Sequence, residues 1–319
     1  MTALDAVSSD RIGLAHGLRR LGAFVRRNPG LAVSLAFLLA VFLFALLSPF
    51  LPHDAYRQNV LARNAGPSLK NWLGTDELGR DVLARLAVGA RVSLTVAIAS
   101  TVIAVAIGVL VGTIAAYAGG FIDNVIMRFV DSMYAFPDTL FAILFAALVK
   151  GQLGGEASGL LAPLAEAYRL SGGLLGVLLT LGLTGWVTTS RLVRAQVLSL
   201  KHAEYVLACR LAGASDSFII RKHLLPNTVP VILIAVTFVV PNAILLEAGL
   251  SFIGVGVDPP TPSWGTMIAT GAQSLQSYPH LLVFPALAIG LTLLALNVVG
   301  DALRDLLDPA VSASRGAAT

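Results

Sequence analysis

Val92-Ser-Leu-Thr-Val-Ala-Ile-Ala-Ser-Thr-Val-Ile-Ala-Val-Ala-Ile-Gly-Val-Leu-Val-Gly-Thr-Ile-Ala-Ala-Tyr-Ala-Gly-Gly-Phe-Ile122 runs for 31 residues without a charge. A helix crosses the roughly 30 Å hydrocarbon core with about 20 apolar residues, so this stretch is long enough for a long or tilted span. Four further runs meet the same length: 31–51, 170–190, 223–246 and 281–300, of 21, 21, 24 and 20 residues. Across the chain 56% of residues are hydrophobic and 13% charged, against about 25% charged in soluble domains. That charge is too sparse to cover a compact soluble fold, and a soluble class is excluded.

Residues 139–149 are purely apolar but too short to cross. A sixth span there has to extend back through Tyr134-Ala-Phe-Pro-Asp138, bringing Asp131 and Asp138 to or inside the membrane edge. The expectation is an all-α membrane protein of six transmembrane helices with both ends on one side. Its divisions are 1–30 as a cytoplasmic segment, 31–51 as the first span, 52–91 as an extracytoplasmic loop, 92–309 as a five-helix core and 310–319 as a cytoplasmic tail. Arg19, Arg20, Arg26 and Arg27 precede the first run, which ends in Ser48-Pro-Phe-Leu-Pro52 rather than a small-residue cleavage site, so it reads as an uncleaved span.

Lys and Arg number 14 on the inner side and 8 on the outer side of that arrangement. The excess favours cytoplasmic termini, although 52–91 is more basic than the rule prefers. The net charge of +4 falls in blocks between apolar runs, a topological pattern that gives no reason to expect nucleic acid. Residues 52–91 are expected to form a loop with a short helix near its end. Residues 150–172, rich in Gly, read as a flexible outer insertion.

The chemistry of an enzyme is absent from the motifs. Lys70, Lys150, Lys201 and Lys222 follow Leu69, Val149, Leu200 and Arg221, never the Gly that a phosphate-binding P-loop requires. The five His form neither an H-E-x-x-H pair nor a cluster with the single Cys209. No intrachain disulfide is possible with one cysteine. No cofactor or metal is expected in this chain.

Residues 199–227 are polar and lie between two apolar runs. Good helix formers fill 203–212, Gly213 closes that helix in a left-handed conformation, and Ser215 or Asp216 caps a second helix that Pro226 stops. Tyr205, Leu211, Phe218 and Ile219 would expose apolar area unless covered. Either the hairpin packs on its own spans, or it docks a soluble partner.

This segment resembles the cytoplasmic loop of importer-type ABC transporter permeases, in which Glu-Ala-Ala, a Gly and Ile-x-Leu-Pro recur in order. Here the matching positions are Leu207-Ala208-Cys209, Gly213 and His223-Leu224-Leu225-Pro226, departing at Leu207, Cys209 and His223. Tyr205-Val-Leu-Ala-Cys-Arg-Leu-Ala-Gly-Ala214 and His223-Leu-Leu-Pro-Asn227 are similar to the dipeptide/oligopeptide branch, second-permease class. So are Gly74-Thr-Asp-Glu-Leu-Gly-Arg-Asp81 with Gly89-Ala-Arg-Val-Ser-Leu94, Met127-Arg-Phe-Val-Asp131 with Pro137, Gly254 to Gly265, and Phe284-Pro285 with Gly300 to Pro309.

The resemblance implies the type I ABC importer permease fold and an ATP-driven peptide import function. It implies pairing with a homologous permease, two cytoplasmic ATPases that bind ATP-Mg, and an extracytoplasmic binding protein, in a bacterial inner membrane. It further implies that Glu204, Tyr205, Ala208, Cys209, Arg210, Gly213, Ala214, Ser215, His223, Leu225 and Pro226 form the ATPase-coupling surface. Arg210 and Arg221 are either partner contacts or solvated inner-side charges. Asn242, Glu247, Pro259, Pro260 and Trp264 are candidates for the path or a gate. Each has a structural alternative: helix–helix hydrogen bonding for Glu247, a rigid turn for the prolines, and an interfacial anchor for Trp264. Arg128 and Asp131, three apart on a helix, suggest a structural pair. Other solutes of the same branch, such as nickel or glutathione, stay open, as does an ATP-independent secondary transporter, though no internal repeat is visible.

Overall fold

A computed structural model describes residues 22, 24–155 and 161–307. Most of the 1–30 segment, part of the 150–172 insertion and the whole 310–319 tail lie outside these residues. Helices dominate, and among the described residues β pairing is limited to one isolated bridge, Thr75 to Asp81. We number the helices α1 (Pro29–Leu46), α2 (Val82–Ala118), α3 (Gly120–Tyr134), α4 (Asp138–Leu153), α5 (Ala162–Leu170), α6 (Leu174–Thr184) and α7 (Trp186–Lys201). They continue with α8 (Glu204–Leu211), α9 (Asp216–Ile219), α10 (Leu225–Ile253), α11 (Trp264–Gln273) and α12 (His280–Leu307).

Four helical stretches are long and apolar enough to cross a membrane alone: α1, α2, the continuous run Asp216–Ile253, and α12. Two bent pairs raise the number to six if each is one span: α3 with α4, bent by 91°, and α5 with the α6–α7 rod, bent by 112°. The expected extension of 139–149 back through Tyr134 takes the form of a near right-angle turn rather than one continuous helix. Pro137 lacks an amide donor and pushes Phe136 out of the helical region, so α4 starts afresh at Asp138.

Helix limits follow local breakers. α1 stops at Leu46, short of the expected 51, because Pro49 turns the chain into the 3-10 turn Ser48–Phe50. α2 starts ten residues before the expected Val92: Asp81 caps it by accepting from the Ala84 amide at 2.8 Å. The short helix expected at the end of 52–91 is thus the first part of α2 itself. Gly119 and Gly120, both at positive φ, end it.

The Gly74–Asp81 motif folds the connection before α2. Asp76 receives the Leu78 and Arg80 amides at 2.9 Å and the Arg80 Nε at 2.7 Å. The Arg85 Nε lies 3.4 Å from the same carboxylate. Thr75 Oγ1 donates to the Ala62 carbonyl, and Asn71 Nδ2 donates to Asp81 at 2.7 Å.

The 150–173 region is docked, which corrects the expectation of a flexible insertion for its described residues. Lys150 Nζ is 2.7 Å from Asp258 Oδ1 and 3.0 Å from the Gly254 carbonyl. Tyr168 donates to Asp258 Oδ2 at 3.3 Å, and the Asp258 amide donates to the Gly172 carbonyl at 2.9 Å. These contacts gather Lys150, Tyr168 and Gly172 around Gly254 and Asp258 at the end of the bundle opposite α8.

Candidate functional site

At one end of the bundle, α8 stands out from the spans. Only Val206 of its residues is fully buried. Tyr205, Leu207, Leu211 and Phe218 are 41%, 44%, 90% and 50% exposed. Covering a large apolar side chain is worth about 1.5–3 kcal/mol, so this face has a strong reason to acquire a partner. Ile219 is an exception to the expected exposure: it is fully buried, in a cluster with Val193, Val197, Val206 and Leu224.

Of the eleven expected coupling residues, Glu204, Tyr205, Ala208, Arg210, Gly213, Ser215 and Pro226 are exposed, and Cys209, Ala214, His223 and Leu225 are half-buried. Gly213 has φ +79°, as expected, with its amide donating to Arg210 and the Ala214 amide reaching Cys209 at 3.0 Å. Ser215 caps α9 through the Phe218 amide.

Pro226 does not stop the second helix. A π turn over Ile220–Leu224 joins α9 to α10, and Pro226 sits in the first turn of α10. A wide turn just before it and the first-turn position together remove the need for the missing amide. The second half of the 199–227 segment is consequently the end of a long apolar helix, continuous from Asp216 to Ile253.

Side chains lock this end to α2. Lys201 Nζ donates to the Ala116 and Tyr117 carbonyls at 3.1 and 2.6 Å. The Tyr117 hydroxyl binds the Asp216 carboxylate, and the Arg210 guanidinium lies 5.4 Å over the Tyr117 ring. The His223 imidazole packs between Tyr205 and Phe218, with Nε2 3.5 Å from the Cys209 sulfur. Further along α7, Arg194 makes a two-pronged contact with Asp123, both arms 2.6 Å. Asp131 meets Arg191 across helices at 3.9 Å, rather than Arg128 on its own helix.

The path and gate candidates divide. Glu247 is fully buried, accepting from Ser93 at 2.9 Å and Ser251 at 2.8 Å. It ties α2 to α10, the helix–helix alternative, as a buried carboxylate held by donors from its neighbours. Trp264 is 1% exposed, with Nε1 donating to the Leu86 carbonyl at 3.1 Å and its amide to Ser93. It is a core wedge, not an interfacial anchor. Pro259 and Pro260 are exposed on the loop above it.

Asn242 is exposed into a cavity of about 350 Å³ between α2, α3, α4, α6, α7 and α10. Ser100, Asp138, Thr184 and Thr188 also line it. Sequence reading flagged Asp138 as an intramembrane charge but gave it no role. The signal lay in the chain breaks at Pro137 and Gly185, which meet only in three dimensions.

Residues 108–313 match the family model described as "Binding-protein-dependent transport system inner membrane component". Residues 24–67 match the "N-terminal TM domain of oligopeptide transport permease C". The chain is 41% identical to the dipeptide transport system permease protein DppC of Bacillus subtilis (strain 168), over 89% of this chain and 83% of that one. It is 39% identical to the oligopeptide transport system permease protein OppC of the same organism, over 89% and 87%. The glutathione transport system permease protein GsiD of Pectobacterium atrosepticum is 35% identical over 90% and 88%. A chain of the MetNI methionine ABC transporter shares the fold, with TM-score 0.54 at 17% identity, over 70% of this chain and 96% of that one. The expected type I ABC importer permease fold is thereby shown, and with a family match over most of its length the chain belongs to the inner-membrane components of binding-protein-dependent transport systems.

Proposed function

We propose that this chain is one of two permease subunits of an ATP-driven peptide importer, pairing with a homologous permease, two cytoplasmic ATPases and an extracytoplasmic peptide-binding protein. The observation that carries the reading is the uncovered apolar face of α8 and Phe218, joined to a helix that runs unbroken from Asp216 to Ile253. The peptide substrate follows the printed roles of DppC and OppC. A partner that closes on α8 moves a rod reaching the far end of the bundle, so ATP-driven closure of the ATPases turns the path outward. ATP-Mg belongs to those ATPases, and this chain performs no bond chemistry.

Two measurements test this reading. The purified chain is expected to bind no nucleotide and hydrolyse none. Reconstituted with its partners, it is expected to support vesicular uptake that stops with a hydrolysis-dead ATPase. Uptake by this chain alone on an ion gradient would instead make it a secondary transporter.

The proposed orientation places α8 and both termini in the cytoplasm. In a Cys209→Ser background, Leu211→Cys, at a site 90% exposed, is expected to label only from the cytoplasmic side. Leu61→Cys, at a site 100% exposed, is expected to label only from outside. The reverse pattern removes the coupling role.

A further inference from the structure

The 91° bend between α3 and α4 and the one-residue junction at Gly185 between α6 and α7 border the cavity that holds Asn242. Irregular backbone at membrane depth is tolerated where it is buried in protein or lines a polar cavity. Met133 lines this one, so the last turn of α3 lies at its wall. The carbonyls of a helix end carry partial negative charge and favour a cation.

The cavity wall has one ionisable side chain, Asp138. No ion pair to it exists among the described residues. Beside it stand neutral groups able to bond a peptide: the Ser100, Thr184 and Thr188 hydroxyls and the Asn242 amide. Phe141 and Leu246 supply apolar wall. A volume of about 350 Å³ lies at the lower end of the roughly 300–1,000 Å³ typical of ligand pockets. Asp138 is exposed to this cavity without a cationic partner, and an ionisable group within or beside a spanning segment is by default a candidate functional site.

We propose that this cavity is a transient substrate station on the import path, in which the Asp138 carboxylate receives the α-ammonium group of a passing peptide while Asn242, Thr184 and Thr188 bond its backbone. The inference rests on the peptide-import reading and deepens it. It makes Asp138 a specificity-determining residue for the class of substrates with a free, protonated amino terminus. The competing account is purely structural: a carboxylate in the first turn of α4 also complements that helix's positive end.

The test uses the full complex in liposomes, with its own binding protein saturated in turn by a free-amine dipeptide and by the same dipeptide N-acetylated. Uptake of both is measured for the wild type, Asp138→Asn and Asp138→Glu. The binding protein is common to all, so its preference cancels when the ratios are compared. Removing a charged hydrogen-bond partner is expected to cut free-amine uptake by Asp138→Asn about tenfold or more. The acetylated peptide, which offers no ammonium, is expected to change little, and Asp138→Glu is expected to keep part of the free-amine preference.

An equal fall for both peptides assigns Asp138 to the helix end alone and overturns the station. Unchanged uptake overturns it too. If Asp138→Asn fails to assemble, Thr188→Cys in the Cys209→Ser complex replaces it as the reporter. Free-amine peptide is then expected to protect that cysteine from a maleimide during turnover and acetylated peptide to protect it less; equal or absent protection overturns the proposal. Failure of the peptide-import reading is seen separately, as a wild-type complex whose ATPase is stimulated but which carries no peptide of either kind.

Discussion

Gly213→Val is expected to reach the membrane at wild-type levels and pair with its sister permease, yet to lose ATPase stimulation by loaded binding protein. Gly213 has φ +79°, and a Cβ there meets nothing within 4 Å. The penalty is thus wholly conformational. A left-handed non-Gly residue costs about 1–2 kcal/mol, which shifts a conformational equilibrium by roughly 5- to 30-fold. Relief of that strain rotates α8 against α9 and the α10 rod, since the Ala214-to-Cys209 hydrogen bond fixes their angle. The packed spans do not feel it, because Gly213 is exposed. Gly213→Asn is the informative companion, as Asn tolerates the left-handed region, and it is expected to retain most coupling. The quantity to compare is transport per assembled complex. Wild-type transport by Gly213→Val would reduce the glycine to a simple helix stop.

Gly112→Leu is expected to act in the opposite way, lowering the amount of folded protein rather than its coupling. Gly108 and Gly112, four apart on α2, let it approach α7 closely, the small-residue arrangement that packs helices within membranes. A Cβ at 112 lies 2.5 Å from the Ser190 carbonyl oxygen and 3.1 Å from the Arg194 amide nitrogen. Both are backbone atoms that cannot swing aside, so the two helices must separate. Overpacking costs about 1–3 kcal/mol, occasionally more. Separation here also strains the Asp123–Arg194 contact and the Lys201 bonds to the end of α2. We expect a lower midpoint of thermal unfolding in detergent and a several-fold loss of monodisperse protein. Gly112→Ala should share much of the defect, since the Cβ itself collides. Gly290→Leu is the control, because nothing lies within 4 Å of a Cβ there. A Gly112→Leu protein as stable as the control would show that the α2–α7 contact is not tight.

The helices were largely legible in the sequence because their causes are local, while several of their ends were not. Apolar run length placed the rods around 92–122, 223–246 and 281–300. Gly213 acts within a turn of itself and was read correctly down to its backbone conformation, whereas Pro49 and Gly119 end their helices inside apolar runs that continue to 51 and 122. The exposed apolar face around α8 was legible for a related reason: Tyr205, Leu211 and Phe218 are apolar residues in a polar segment, and that contrast survives without coordinates.

Contrast is what the spans lack. α2 and α10 are apolar on every side, so periodicity gives no sign of which face meets protein and which meets lipid. Glu247 and Asp138 therefore looked alike as charges within or beside apolar runs. Tertiary structure alone separated them, burying Glu247 against Ser93 and Ser251 and leaving Asp138 on a cavity wall. Trp264 was misjudged for the same reason, since an indole at a membrane edge and an indole wedged against Leu86 have the same neighbours in sequence. The continuity of α9 with α10 also lay beyond local rules, because a π turn that rescues a helix before Pro226 leaves no mark in residue type. Local propensity and run length determined the elements of this protein; close approach between distant segments decided which of their polar groups are buried as ties between helices and which stay on a cavity wall.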